Sequence, residues 1–350
     1  MTGCVLSKKD NSRIPYVFGG GVRELFEREV DLLPGVISAE DLESRRKELA
    51  PVELILCTWN TESLGAEQIR AYFPSLRCLF YIAGSVQYFA RPFLERGVRV
   101  FSAWGSMAVP VAEFALAQIV LASKGAYLAS ALYRREAAGG GDSGRDPDSQ
   151  AAYDKAKSLS IDRFPGTYAT RIGILGCGQI GSLVLEGLKS FNVETLVFDP
   201  FAPDEKIARL GARRASLAEV FSRCSVVSNH LANNEQTAGM LGYSLFSSMG
   251  ECAAFINTGR GAQVVEADLA RALRDEPSRC ALLDVTWPEP CPKGHEFWSL
   301  PNVFITPHIA GMGLGDTRRM SDYILEEIRR YKAGEALRSE VTLPMLATMA

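Results

Sequence analysis

A glycine-rich turn between a strand and a helix is the feature that most constrains the fold of this 350-residue sequence. The stretch 171–175 predicts a short buried strand, and a helix is expected to begin near Gln179. The pattern Gly-x-Gly-x-x-Gly lies between them, with its glycines at Gly176, Gly178 and Gly181. Glycines at these positions permit a tight turn, close approach of the backbone to a pyrophosphate, and close packing of helix on sheet. The free N–H groups and the dipole of the following helix would favour phosphate.

An acidic residue completes this unit. Asp199 ends the next predicted strand, 194–199, and lies 18 residues after Gly181. A carboxylate at this point can accept hydrogen bonds from a ribose diol and would repel a 2′-phosphate, which favours NAD over NADP. Arg213 and Arg214 follow and could weaken that preference. Because strand, glycines, helix, strand and acid occur together, the sequence predicts a dinucleotide site.

The composition narrows the range of partners. The 38 Lys and Arg residues nearly balance 41 Asp and Glu, giving a net charge of −3, so neither nucleic acid nor an anionic membrane is an expected partner. No continuous apolar run of about 18 residues predicts a membrane span, and the first ten residues lack the apolar core of a secretory signal. The eight cysteines form no Cys-x-x-Cys pair. We therefore expect no metal site, and reduced thiols in a cytoplasmic protein.

The alternation of apolar runs and amphipathic stretches predicts an α/β architecture with parallel sheets. In the first third the predicted strands are 16–18, 53–57, 78–82 and 98–101, and the predicted helices include 22–29 and 66–72. From residue 171 the predicted strands are 171–176, 194–199, 225–230, 253–257, 280–285 and 303–306. Six strands with intervening helices are typical of a doubly wound nucleotide-binding sheet.

The predicted strand series is flanked by helices and interrupted by one loop. A long apolar helix is expected over 109–128 and a final helix over 316–332. The glycine-rich, polar stretch 137–149 predicts a mobile surface loop.

Three side chains capable of acid–base and anion chemistry follow predicted strands of the second part. Arg260 offers a fork of donors suited to a carboxylate or a polarised carbonyl. His308 could exchange a proton near neutral pH, and Glu289 could orient its imidazole and favour the protonated form. Because ligands bind beyond the carboxyl ends of strands in open α/β sheets, these residues are the predicted catalytic set.

The chain resembles the NAD-dependent D-isomer-specific 2-hydroxyacid dehydrogenases over nearly its whole length. The similar segments are 173–181, 257–261, 281–285 with 289–290, and 300–311. The resemblance implies that Arg260, Glu289 and His308 are catalytic, that His230 lies in a cofactor-side loop, and that His295 is structural.

The resemblance also implies further binding residues. On the cofactor side, besides the three glycines and Asp199, these are Gln179, Ile180, Leu231, Thr258 and Asp284. The backbone amides of Ser85 and Val86 are the expected partners of a substrate carboxylate, together with Arg260. Two departures from the family put the substrate's identity in question: the loop at 83–87, and Met107 where many members have asparagine.

The architecture implied by the resemblance is a Rossmann domain, a doubly wound parallel sheet, inserted into a smaller flavodoxin-like α/β substrate domain. Residues 109–311 would bind NAD, and residues 1–108 with 312–350 would bind the substrate. Family members are usually homodimers, and the loop 136–160 lies where many of them associate, although its sequence departs from the common pattern.

The expected activity is reversible hydride transfer between nicotinamide and a small D-2-hydroxy or 2-keto acid. The alternatives are oxidation of formate or of a phosphorylated hydroxy acid, for which Arg91, Arg96 and Arg99 are candidate cations. A cofactor-sensing relative without catalysis, similar to a transcriptional corepressor, is a further alternative. A short-chain oxidoreductase is disfavoured because such an enzyme would have its glycine turn near the N-terminus, whereas the turn here begins at Gly176.

Overall fold

The computed structural model describes residues 1–137 and 147–347. By its internal packing the chain divides into two units, Met1–Pro110 with Gly311–Ala350, and Val111–Ala310. The strands, in chain order from β1 to β13, are Thr2–Val5, Asp31–Leu32, Leu54–Cys57, Cys78–Tyr81, Arg99–Ser102, Thr170–Leu175, Val193–Phe198, Arg213–Arg214, Val226–Asn229, Ala254–Asn257, Cys280–Leu283, Val303–Ile305 and Glu340–Val341.

Helices separate most of these strands. The α-helices, in chain order from α1 to α14, are Arg13–Phe18, Val22–Glu27, Arg46–Leu49, Ala66–Tyr72, Arg91–Glu95, Trp104–Ser123, Ala126–Ala137, Pro147–Arg163, Gln179–Leu188, Asp204–Arg209, Leu217–Arg223, Tyr243–Ser248, Glu266–Asp275 and Leu314–Ala333. Short 3₁₀ helices lie at Ala39–Asp41, Gly261–Gln263, Glu296–Ser299 and Pro344–Ala347.

The sheet of the first unit has the order β13-β5-β4-β3-β1-β2. Its strands pair in parallel except β13, which pairs antiparallel with β5. Apart from β13, this is the doubly wound order of flavodoxin-like sheets. Alternate residues of β3 face opposite sides: Leu54 and Leu56 enter one apolar cluster, while Ile55 and Cys57 enter the other. The sheet is therefore buried on both faces, as parallel sheets usually are.

The sheet of the second unit has the order β12-β11-β10-β9-β6-β7-β8, and every pair is parallel. The strand order reverses between β6 and β9, which makes their carboxyl ends the point where such sheets bind ligands. Phe255 and Ile256 of β10 lie in the two different apolar clusters that cover the sheet. The predicted α/β fold, with a Rossmann sheet and a flavodoxin-like sheet, is confirmed.

The helix α6 is, in the described part of the chain, the one helix long and apolar enough to cross a bilayer by length and composition. Half of that stretch is buried inside the protein. Ala115, Ile119 and Ala122 pack in the core of the second unit. A helix packed in a protein core meets the same criteria of length and composition as a membrane span.

Several sequence-based predictions of local structure were wrong. The predicted strand 16–18 belongs to helix α1, where Val17 and Phe18 are buried. The predicted helix 109–128 begins earlier, at Trp104, and gives way to α7 after Gly125, whose φ is +64°. The true first strand, β1, was not predicted.

The stretch predicted as a loop is partly helical. Helix α7 runs to Ala137 and helix α8 begins at Pro147, so most of the predicted loop 136–160 is helix. Ala152 and Ala156 of α8 are buried. The remainder of the predicted mobile loop, 138–146, lies outside the described residues.

Candidate active site

The glycine turn follows β6 as predicted, and α9 begins at Gln179. Gly176 has a φ of +88°, a conformation that side chains rarely adopt, and a Cβ there would lie 2.6 Å from the carbonyl oxygen of His230. A Cβ on Gly181 would lie 2.0 Å from the carbonyl oxygen of Gly176, whereas one on Gly178 meets nothing within 4 Å. Among the residues that the structure describes, no side chain caps the N-terminus of α9. Space and free donors therefore exist for a pyrophosphate, and the residues present fit a dinucleotide.

Asp199 follows β7 and organises the turn beside the glycines. Its carboxylate accepts hydrogen bonds from the backbone N–H groups of Cys177 (2.6 Å), Phe201 (2.8 Å) and Ala202 (2.9 Å). These bonds fix the negative charge next to the glycine turn. Contact of this carboxylate with a ribose stays a prediction.

Two cations lie close to the same turn. Lys206 donates to the carbonyl oxygen of Cys177 (2.6 Å). The Arg214 guanidinium pairs with Asp204 and donates to the carbonyl oxygens of Asp199 and Ala202. All three guanidinium nitrogens of Arg214 thus already donate within the protein, which engages three of its five N–H groups.

The loop after β9 contains a buried histidine. The ring of His230 contacts the hydroxyls of Ser228 (2.9 Å) and Thr258 (3.2 Å) through its two nitrogens. Burial lowers the pKa of His230 to about 3, so the ring is neutral at ordinary pH. Thr258 and the neighbouring Leu231 are buried at this edge of the sheet, and their contact with a cofactor stays a prediction.

Buried amides connect the loops after β9 and β10. Asn229 donates to the side-chain oxygens of Asn257 (3.0 Å) and Gln263 (2.6 Å), and Gln263 donates to the carbonyl oxygen of Leu231 (3.0 Å). Asn257 also donates to the carbonyl oxygen of Arg260 (3.2 Å). Sequence reasoning missed this network, although an asparagine at the end of two adjacent buried strands was a visible signal.

Arg260 follows β10 and begins the Gly261–Gln263 turn. One of its guanidinium nitrogens donates to the carbonyl oxygen of Gly259 (2.8 Å). Burial lowers the pKa of Arg260, and the charge of Glu289 raises it in part. The guanidinium is therefore a partly desolvated cation within electrostatic range of Glu289, which strengthens its interaction with an anion.

Glu289 and His308 form a direct pair. The distance between Glu289 Oε1 and His308 Nδ1 is 2.6 Å, and both side chains are about two-fifths exposed. A hydrogen bond to Nδ1 places the other ring nitrogen, Nε2, at the disposal of a ligand. The structure thus brings together, in one unit, the acid and the imidazole that the sequence placed 19 residues apart.

Asp284 holds the turn that carries His308. Its carboxylate accepts from the hydroxyl of Thr306 (2.6 Å) and from the backbone N–H groups of Ile309 and Ala310 (both 2.9 Å). Its carbonyl oxygen accepts from the backbone N–H of His308 (3.0 Å). His308 has a φ of +53°, which is unfavourable for a side-chain-bearing residue and needs such support. The predicted role of Asp284 in cofactor binding stays a prediction.

Ser85 and Val86 lie in the loop after β4 of the first unit. Val86 is fully buried, and the Ser102 hydroxyl donates to the carbonyl oxygen of Ala83 (2.9 Å), which fixes the loop. Within residues 1–137 and 147–347, no acceptor pairs with the backbone N–H of Ser85 or Val86. Both N–H groups are therefore unpaired within the described residues; Ser85 is partly exposed, whereas Val86 is fully buried.

Comparisons with known proteins agree on one family. Residues 149–310 match the family described as D-isomer specific 2-hydroxyacid dehydrogenase, NAD binding domain. The chain is 37% identical over 166 residues to glyoxylate/hydroxypyruvate reductase A of Serratia proteamaculans, a match that covers 47% of this chain and 52% of that protein. It is 29% identical over 242 residues to D-3-phosphoglycerate dehydrogenase of Mycobacterium tuberculosis, covering 69% and 42%.

The fold is shared with solved structures over both units. The structure of D-mandelate dehydrogenase from Rhodotorula graminis aligns with a TM-score of 0.76 at 20% identity and covers 97% of each chain. The sequence matches, by contrast, span about half the length of the curated relatives. Residues 149–310, within the second unit, match the NAD-binding domain of the D-isomer-specific 2-hydroxyacid dehydrogenase family.

Proposed function

We propose that this chain is an NAD-dependent oxidoreductase that transfers a hydride between the nicotinamide ring and a small D-2-hydroxy or 2-keto acid. The observation that carries the proposal is the 2.6 Å contact between Glu289 and His308, and Arg260 supplies a partly buried cation within electrostatic range of Glu289. A proton donor, the acid that orients it and a cation for the substrate are the groups that reduction of a keto acid requires.

Each member of the set has a distinct task. Bound NADH supplies the hydride. The Arg260 guanidinium binds the substrate carboxylate and polarises the carbonyl group, which its low-dielectric surroundings make more effective. His308 donates the proton from Nε2 to the developing alkoxide, and it accepts a proton there during oxidation. Glu289 holds the ring through Nδ1 and stabilises the imidazolium.

The family resemblance implies that the backbone N–H groups of Ser85 and Val86 bind a substrate carboxylate. Within the described residues of the first unit these two groups have no acceptor, which is consistent with that role. Of the three candidate phosphate ligands, Arg99 pairs with Glu340 (2.7 Å) and Arg91 lies 3.6 Å from Glu95. The buried Nε of Arg96 has no hydrogen-bond partner among the described residues, so the phosphoglycerate-type alternative stays open.

The charges beside the glycine turn support NAD as the cofactor. Asp199 places a carboxylate where NADP would bring its 2′-phosphate. Arg214, which could have compensated this repulsion, is already paired with Asp204 and with two carbonyl oxygens. A homodimer in the cytoplasm is part of the same proposal and rests on the family resemblance.

A panel of 2-keto acids tested with NADH and NADPH in parallel examines the proposal. We expect loss of NADH fluorescence with at least one keto acid, and His308→Gln should lower kcat by about 10²- to 10⁴-fold, the usual size of a general acid contribution. NADH binding, measured by quenching of protein fluorescence, should change less than twofold in that variant. Lys293→Gln, in the same surface loop as Glu289, is the matched control and should keep full activity.

The alternatives give different results. A cofactor-sensing protein without catalysis would bind NADH and show no turnover with any keto acid. Equal turnover in the wild type and in His308→Gln would remove His308 from the mechanism.

A further inference from the structure

Glu266 lies between the Arg260 segment and the Glu289 segment, and no role was assigned to it from the sequence. It is the first residue of α13, six residues after Arg260. Its side chain is only 11% exposed, and burial raises its pKa. A buried carboxylate needs hydrogen-bond partners to offset the loss of water, so its contacts are informative.

Both carboxylate oxygens of Glu266 contact the loop that carries Glu289. Oε1 accepts a hydrogen bond from the backbone N–H of Trp287 (2.8 Å). Oε2 lies 3.4 Å from Nε2 of His295. One carboxylate therefore contacts positions 287 and 295, on either side of Glu289.

The hydrogen bond at the other ring nitrogen of His295 determines which nitrogen carries the proton in the contact with Glu266. Nδ1 accepts a hydrogen bond from the backbone N–H of Phe297 (3.3 Å). Since Nδ1 is an acceptor, the ring proton is on Nε2, which faces Glu266. The contact is therefore attractive for the neutral ring.

The segment 260–266 also touches the start of the same loop. Gly261 packs directly against the backbone of Thr286, because a Cβ on Gly261 would lie 2.1 Å from the carbonyl carbon of that residue. The turn that presents Arg260 and the loop that presents Glu289 are thus joined twice, at Gly261 and at Glu266.

We propose that Glu266, paired with His295, is a positioning residue that holds the loop 287–295 so that Glu289 reaches Nδ1 of His308. The assignment rests on the proposed function, since it gives Glu266 its importance through the Glu289–His308 pair. Glu266 itself contacts neither of these two side chains through any hydrogen bond that the structure shows among the described residues.

Removing the carboxylate should loosen the loop without removing a catalytic group. In Glu266→Ala the N–H of Trp287 and the Nε2–H of His295 both lose their acceptor. In Glu266→Gln the amide oxygen can still accept from Trp287, but its NH₂ group would face the Nε2–H of His295. We therefore expect a graded effect, with Glu266→Ala more affected than Glu266→Gln.

The test combines turnover with a direct spectroscopic view of His308. The chain has three histidines, so ¹⁵N-histidine labelling gives few imidazole resonances, and His308→Gln assigns those of His308. Glu289→Gln supplies the spectrum of a His308 ring without its charged partner. Asp268→Ala is the matched control, because this first-turn acid of α13 accepts from the backbone N–H of Tyr243 (3.0 Å), away from Glu289.

The expected result is a shift of the His308 resonances of Glu266→Ala toward those of Glu289→Gln, with a smaller shift in Glu266→Gln and none in Asp268→Ala. The kcat of Glu266→Ala should fall by about 10- to 100-fold, as a displacement near 1 Å can cause, while the dissociation constant for NADH stays within twofold. Unchanged His308 resonances in both folded Glu266 variants would overturn the proposal, and if Glu266→Ala does not fold, Glu266→Gln alone decides.

The spectroscopic result does not depend on finding the substrate. If the wild type reduces no keto acid, the proposed function fails, and the resonances of His308 still show whether Glu266 positions its partner.

Discussion

Substitution of Gly261 by alanine tests whether the Arg260 turn and the Glu289 loop must lie in direct contact. The added Cβ would lie 2.1 Å from the carbonyl carbon of Thr286, 2.2 Å from its oxygen and 2.7 Å from its Cα. All three are backbone atoms, so no side-chain rotation can relieve the overlap. Ordinary contact begins at 3.4 Å, so the two segments must separate by about 1.3 Å.

Such a separation should affect rate more than binding of the cofactor. Arg260 precedes Gly261 directly, and Glu289 lies three residues beyond Thr286. A displacement near 1 Å of catalytic groups can cost about 100-fold in rate, and overpacking of this kind costs about 1–3 kcal/mol of stability. We expect kcat of Gly261→Ala to fall by about 100-fold.

The assay measures kcat, the dissociation constant for NADH and the urea midpoint of the same variant. Gly250→Ala is the control, because a Cβ at Gly250 meets nothing within 4 Å; it should behave like the wild type. If Gly261→Ala turned over within threefold of the wild type, the contact with Thr286 would not be what sets the distance between Arg260 and Glu289.

Two further predictions concern buried polar groups. Because burial holds the pKa of His230 at about 3, well below its unfolded value, the unfolded chain binds the extra proton as pH falls; the free energy of unfolding should drop by about 2 kcal/mol from pH 7.5 to pH 5. Urea unfolding checks this, and an equal drop in His230→Asn would contradict it. Asp284→Ala leaves three donors of the His308 turn without an acceptor and should lower the free energy of unfolding by at least about 2 kcal/mol, together with kcat. Wild-type kcat in that variant would show that the turn keeps its shape unaided.

The second sheet was predictable because each of its central strands is an apolar run buried on both faces. The six predicted strands occur within one to two residues of their predicted ends. The seventh, β8, was missed because it consists of Arg213 and Arg214, two exposed charged residues at the sheet edge. Its strand conformation comes from pairing with β7. No local sequence pattern indicates that pairing.

Local patterns also failed where packing decided the structure. The apolar stretch 16–18 looked like a strand, but Phe18 packs on Phe26 (ring centroids 5.8 Å apart) from a helical turn. The polar composition of α8 suggested a loop, whereas its buried alanines show that the helix is stabilised by tertiary contacts.

The site shows the same division between chemistry and support. Arg260, Glu289 and His308 could be proposed as the catalytic set from the sequence because each follows a strand of one sheet and carries a functional group suited to the proposed chemistry. The residues that hold them have no such signature. Asn229, Gln263 and Glu266 act through hydrogen bonds to loops that are distant in sequence, so only the folded chain reveals their partners.

Asp284 illustrates why such support is difficult to infer and costly to change. The family resemblance implies that Asp284 is a cofactor ligand. In the structure its two carboxylate oxygens accept three hydrogen bonds from the turn that contains His308. An asparagine there would offer one oxygen and turn an NH₂ group toward at least one N–H donor. The left-handed conformation of His308 would then lose part of the bonding that offsets its strain. The acid is therefore required at this position by the geometry of the histidine turn itself, whatever it contributes to a bound cofactor.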